Sequence, residues 1–115
     1  MKKLIYSPDA VEKLQEIKRD IALKYGTEKA NAIIKKMPTS FRDLQQFLFK
    51  GPSVESALGI ASAYRYLYVQ HHYAFYRVEG DTVRIIDIFH EKEDFMWKLF
   101  GIKTTTQETE DDWNE

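Results

Sequence analysis

A chain of 115 residues, 43% hydrophobic and 14% aromatic, holds material for one small core and leaves little room for a second domain. It contains no cysteine, which excludes disulfide frameworks, thiolate zinc sites, iron–sulfur clusters and cysteine nucleophiles. The net charge of −1 conceals an asymmetry, because residues 1–103 carry all 17 Lys and Arg with 13 acids and stand at +4, whereas residues 104–115 stand at −5.

The single domain is therefore expected over residues 1–103, with 104–115 as an acidic tail whose one large apolar group is Trp113. That tail reads either as a solubilising terminus or as a strip able to fold back on a basic groove. A body of +4 is far below the balance of a protein that lives on phosphate contacts. No apolar stretch approaches the roughly 18 residues of a membrane span, and the first apolar run breaks too soon for a signal peptide. A soluble, cytoplasmic protein without a membrane partner is the expectation.

Residues 3–7 form a brief strand stopped by Pro8. Ser7 as N-cap, Pro8 at the first helical position and Asp9 in the first turn then start a helix. Ala10, Leu14, Ile17, Ile21 and Tyr25 carry its apolar stripe, Lys13 and Glu16 lie on the wet side, and Gly26 closes it. A second stripe runs from Ala30 to Leu48, with Thr27 as its cap. Pro38 interrupts this stripe, which predicts a kink or two segments, 28–36 and 39–49, the later one capped by Thr39 or Ser40. Residues 54–62 show no period and read as a loop.

From Ala63 the period falls to two and the residues become aromatic and β-branched. Strands are expected over 64–69, 73–78 and 83–89, with turns at Gln70–His71 and at 79–82, followed by a helix over 91–100. The order β-α-α-β-β-β-α describes an α+β domain, a helical hairpin packed on an antiparallel sheet.

No phosphate-binding glycine loop, nucleophile elbow or zinc-protease helix occurs in the sequence. No cofactor and no metal site is expected. His71 and His72 sit at a turn with side chains on alternate faces. His90 ends the last strand with Asp94 four residues on, a pair that could orient the ring on one helical face. Strict alternation puts Arg84, Ile86, Ile88 and His90 on one face of that strand and Val83, Ile85, Asp87 and Phe89 on the other. Asp87, an acid in an apolar run, then needs an arginine or a place at the sheet edge. The Tyr and Arg content of the strands suits base stacking and phosphate contact, and equally an ordinary sheet with one packed and one wet face.

The segment 72–90, with His-Tyr-Ala-Phe-Tyr-Arg-Val, an acidic-Gly hairpin and an Ile-rich strand ending in Phe-His, resembles the C-terminal signature of the RelE/ParE superfamily of type II toxin–antitoxin toxins. The Ser-Pro-Asp-Ala helix start and Arg65 extend the resemblance over residues 3–100. It implies a toxin neutralised by a cognate antitoxin protein, contacting operator DNA only through that antitoxin. The superfamily divides into DNA gyrase inhibitors, which are not enzymes, and mRNA endonucleases that work on the ribosome. For the second branch the resemblance carries a catalytic role to Arg65, Arg77 and His90 and nucleic-acid contact to Arg65, Arg77 and Arg84. Tyr73, Asp87 and Phe95 depart from that branch, removing cationic and proton-transfer groups. The His-Tyr-x-Phe-Tyr-Arg-Val strand looks closer to the ParE-like subgroup, so gyrase inhibition is the favoured mechanism. The alternatives are the ribosome-dependent endonuclease and a degenerate toxin that keeps only antitoxin binding.

Overall fold

The computed structural model describes residues 2–101, including every side chain there except those of Met96 and Trp97; the acidic tail lies outside the described residues. The elements run β1 (Lys3–Tyr6), α1 (Pro8–Tyr25), α2 (Thr27–Asp43), α3 (Val54–Leu58), β2 (Arg65–Val69), β3 (His72–Glu79), β4 (Thr82–His90) and α4 (Phe95–Phe100). The helical hairpin and the three-stranded meander agree with the sequence expectation.

Ser7 begins α1 as its residue type dictates, its Oγ accepting from the Ala10 amide at 3.0 Å. Gly26, at φ 96°, ends α1 and is also the residue from which α2 starts, so Thr27 lies inside the helix rather than capping it. Pro38 does not break α2. It removes one helical amide donor, yet Met37 and Phe41 on either side are fully buried, and that burial holds the helix together across the gap. Thr39 and Ser40 cap nothing; their hydroxyls donate back to the Lys35 and Lys36 carbonyls at 2.9 and 3.1 Å. The expected loop over 54–62 contains the single turn of α3, capped by Ser53 Oγ on the Ser56 amide and ended by Gly59 at φ 72°. Five residues are too few to display a helical period.

The sheet has the order β1-β4-β3-β2 and is mixed: the meander is antiparallel, but β1 pairs parallel to β4, from Lys3↔Thr82 to Tyr6↔Ile85. One face carries α1 and α2 over Ala74, Tyr76, Val83, Ile85 and Ile88. The other face carries an aromatic core in which Phe75 and Phe89 pack with Val54, Tyr64, Tyr66, Tyr73, Phe95, Leu99 and Phe100. Both faces are thus covered, and most of the strand aromatics are core rather than a stacking platform.

A β-bulge changes the face assignment of β4. The β3–β4 register passes from Phe75↔Asp87 directly to Tyr76↔Ile85, so Ile86 is an extra residue. Val83, Ile85 and Ile88 consequently share the hairpin side. Arg84 and His90, which uninterrupted alternation places together, lie on opposite faces.

Candidate functional site

On the face away from the hairpin, Arg77 and Arg84 are direct cross-strand partners. Two guanidinium groups so placed would repel unless an anion lay between them. Glu79, two residues beyond Arg77 at the end of β3, is that anion. Arg77 Nη2 donates to its Oε2, and Arg84 Nε donates to its Oε1 at 2.9 Å. The Arg77 and then the Arg84 hydrogen bond hold the Glu79 carboxyl below the usual carboxylate range. All three side chains remain a third or more exposed, so the cluster is a solvated network with one net positive charge.

Arg65 and His90 belong to the hairpin side. Arg65 pairs in register with Tyr76, its guanidinium 4.8 Å from the centre of the Phe49 ring. Its Nε is buried without a hydrogen-bond partner among the described residues. His90 stands at the other end of the sheet, opposite His72, with the two rings perpendicular and 5.0 Å apart. Arg65↔Tyr76 and Val69↔His72 are separated by four residues along the strands, about 13 Å at the rise of a β-strand.

The imidazoles are oriented by the backbone. His72 Nδ1 lies 2.6 Å from the Gln70 carbonyl and must donate to it, while His90 Nδ1 accepts from the Lys92 amide at 3.1 Å. Burial depresses the His72 pKa, opposed by the Gln70 hydrogen bond. His90 ends a strand, so the helical spacing to Asp94 expected from sequence does not apply. These histidines border a cleft of about 390 Å3 between α1 and the β2–β3 turn, walled by Ile17, Ile21, Ile33 and Ile88.

That turn is itself unusual. Gln70 (φ 49°) and His71 (φ 63°) both occupy left-handed backbone, the geometry a two-residue hairpin demands and Asn-Gly satisfies best. It is fastened to the end of β4. The Glu91 amide donates to the His71 carbonyl at 2.8 Å, and the Glu91 carboxylate accepts from Tyr68 Oη and faces His71 Nδ1.

Asp87 finds a lysine instead of an arginine. β1 stops at Tyr6, which leaves the second half of β4 with a free edge, and α1 covers it: Ser7 Oγ donates to the Ile86 carbonyl at 2.5 Å, and Lys13 Nζ to the Ile88 carbonyl at 3.2 Å. Lys13 also pairs with Asp87 at 3.3 Å and lies 4.2 Å above the Phe89 ring. A lysine read from sequence as wet-side thus joins both layers. Neither its role nor that of Glu79 has a signature, since both depend on where a strand ends.

The arrangement gives two separate surfaces, a paired arginine network on one face and a histidine cleft on the other, with Arg65 at a third position. Among the described residues no group of three His, Asp or Glu side chains is placed to hold a metal, and no helix is long and apolar enough to cross a membrane.

Residues 4–95 match the family described as ParE toxin of type II toxin-antitoxin system, parDE. The chain belongs to the ParE toxin family. Its fold is similar to a solved structure titled "Chromosomal ParDE TA system from P. aeruginosa", with a TM-score of 0.67 and 24% identity over 78% of this chain and 96% of that one. No curated protein matches the chain. The family is that of a type II toxin, and the helical hairpin over a mixed four-stranded sheet is the architecture it shares with this neighbour.

Proposed function

We propose that this ParE-family chain arrests growth as an inhibitor of DNA gyrase and is held inactive by a cognate antitoxin protein. The observation that carries the mechanism is the dispersal of the residues an endonuclease branch would use. Arg65 and His90 stand about 13 Å apart along the strands, and Arg77 faces away from both while sharing Glu79 with Arg84. Stabilising a phosphoryl transition state needs cations and a proton-transfer group converging within hydrogen-bond reach of one phosphate. Dispersed groups favour action by a binding surface. Antitoxin neutralisation is then occlusion of that surface, with operator DNA contacted through the antitoxin and no cofactor required.

The test is pulse incorporation of labelled thymidine and amino acid in bacteria during the first minutes after the chain alone is induced. Thymidine incorporation is expected to fall first, and His90→Ala or Arg77→Ala to leave that effect within about twofold of the parent. An earlier fall in amino-acid incorporation, abolished by either substitution, assigns the chain to the ribosome-dependent endonucleases. No effect of soluble chain on either assigns it to the toxins that retain only antitoxin binding.

A further inference from the structure

The positive charge of the folded body is unevenly placed. α1 carries four acids and four bases and is neutral, whereas residues 27–50, which contain α2 and the turns after it, carry Lys29, Lys35, Lys36, Arg42 and Lys50 against Glu28 and Asp43 and so hold +3 of the body's +4. Lys50 takes up Asp43 at 3.3 Å. The four helix cations meet no carboxylate at ion-pairing distance among the described residues. Lys29 Nζ lies 4.9 Å over the Tyr25 ring, and Arg42 Nη2 donates to Thr39 Oγ1 at 3.0 Å. Met37 and Phe41 are buried against the sheet, and all four cations are exposed on the outward half of the helix. Lys35, Lys36, Thr39 and Ser40 also wall a shallow groove of about 380 Å3 between α2 and the end of β2, completed by Val69 and Gln70, with no acid in its lining.

We propose that this outward half of α2 docks on the phosphate backbone of duplex DNA, giving the chain a DNA contact of its own beyond any made through an antitoxin. Lys29 and Arg42 stand about 20 Å apart along the helix axis. Duplex DNA carries one negative charge per ~1.7 Å of its length, so four cations over that span meet phosphates whatever the base sequence. The rest of the face selects this occupant. Between Lys29 and Arg42 it exposes only Asn31, Ala32 and Thr39 besides the lysines. An acidic protein partner needs apolar anchors to bury, and single-stranded nucleic acid needs exposed rings for its bases; this stretch offers neither. A duplex needs only cations and hydrogen-bond donors directed at its phosphates. The modest net charge of the body reflects a neutral α1 and the acids of the strands, and it conceals this one face. The choice of DNA over RNA rests on the proposed action on gyrase, whose substrate is duplex DNA.

The test is fluorescence anisotropy of a labelled DNA duplex of about 20 base pairs, titrated with the full chain made by cell-free synthesis. Affinity should fall about 100-fold between about 50 and about 200 mM salt, as expected for four phosphate contacts, and two unrelated duplex sequences should bind within about twofold of each other. Lys35→Gln with Lys36→Gln should lower the salt slope by about two and weaken binding to both duplexes alike. Lys18→Gln with Arg19→Gln removes the same charge from exposed positions on α1 and should leave the slope unchanged; circular dichroism checks that both variants are folded. Undetected binding at about 50 mM salt overturns the proposal, as does an equal loss from the α1 pair or tighter binding of an RNA duplex of the same length. Gyrase is absent from this titration, so the DNA contact and the effect on thymidine incorporation can fail separately.

Discussion

Where β2 begins, the hairpin face of the sheet is sealed: Tyr76, Phe41 and Leu44 are fully buried, and the Tyr76 hydroxyl ties the segment after α2 to the strands through Leu48 and Gly51. Where β2 ends, the same face opens into the cleft, with two half-buried imidazoles and a turn of two left-handed residues that are not glycine. Both ends belong to the same strands and pack beneath the same helices. The difference lies in what fixes the backbone. At the sealed end packing dictates each residue, whereas at the open end local strain is held by Glu91 and by the His72–Gln70 hydrogen bond.

The largest effect should come from the sealed end. A Cβ added to Gly51 would lie 2.1 Å from the Tyr66 carbonyl oxygen and 3.0 Å from the Tyr76 ring, and that oxygen is backbone in a strand. Gly51→Ala should therefore cost about 3 kcal/mol or more, read as the loss of stability in urea unfolding followed by circular dichroism. A cost below about 1 kcal/mol would mean that the segment can slide off the sheet, and the contrast between the two ends would be lost.

Tyr76→Phe is the next step down. It keeps the ring in the core but leaves the buried Gly51 amide and the Leu48 carbonyl without their partner. About 2 kcal/mol is expected, from two hydrogen bonds lost and both partner groups left unpaired, measured in the same unfolding experiment. An unchanged midpoint would show water replacing the hydroxyl, and hence an end less sealed than its burial implies.

The open end should respond in the opposite direction. Gln70→Asn together with His71→Gly supplies the pair that two left-handed positions prefer, and should stabilise the fold by about 1 kcal/mol despite removing the His71–Glu91 contact. If the double variant is destabilised, the clamp from Glu91 outweighs the backbone strain.

The same contrast explains what the sequence disclosed. Caps and periods are local, so Ser7, Pro8, Gly26 and the alternation from Tyr64 onward are enough to place the hairpin and the meander. The continuity of α2 through Pro38 is a tertiary effect, set by Met37 and Phe41 against the sheet, and no local rule reports it. The bulge at Ile86 leaves no mark in the sequence, yet it decides that Arg84 and His90 face opposite ways, and with that whether the candidate residues converge. Their types were legible from the strand pattern and the family resemblance; their positions depended on one extra residue. The parallel placement of β1 was hidden for a similar reason, because a four-residue strand carries no signal of its partner.

The smallest effect is also the one that separates the two ends most cleanly, since it depends on pH. Burial lowers the His72 pKa below its ordinary value of 6.5; the Gln70 carbonyl and the Glu93 carboxylate oppose the shift, and His90 and His71 reinforce it. The folded state therefore holds its proton at His72 less tightly than the unfolded chain does. Stability from this group is complete above the unfolded pKa and falls as the pH drops from about 6.5 toward the folded pKa, because only the unfolded chain then takes up the proton. Wild type should lose stability between about pH 7.5 and 5.5, and His72→Gln should lose less over the same interval. The corresponding change at the sealed end, Tyr76→Phe, should shift the whole curve and leave its slope alone, since the Tyr76 hydroxyl, its pKa raised chiefly by burial, stays protonated throughout. Equal slopes for His72→Gln and wild type would place the acid sensitivity elsewhere and remove the histidine pair as the feature that distinguishes the open end.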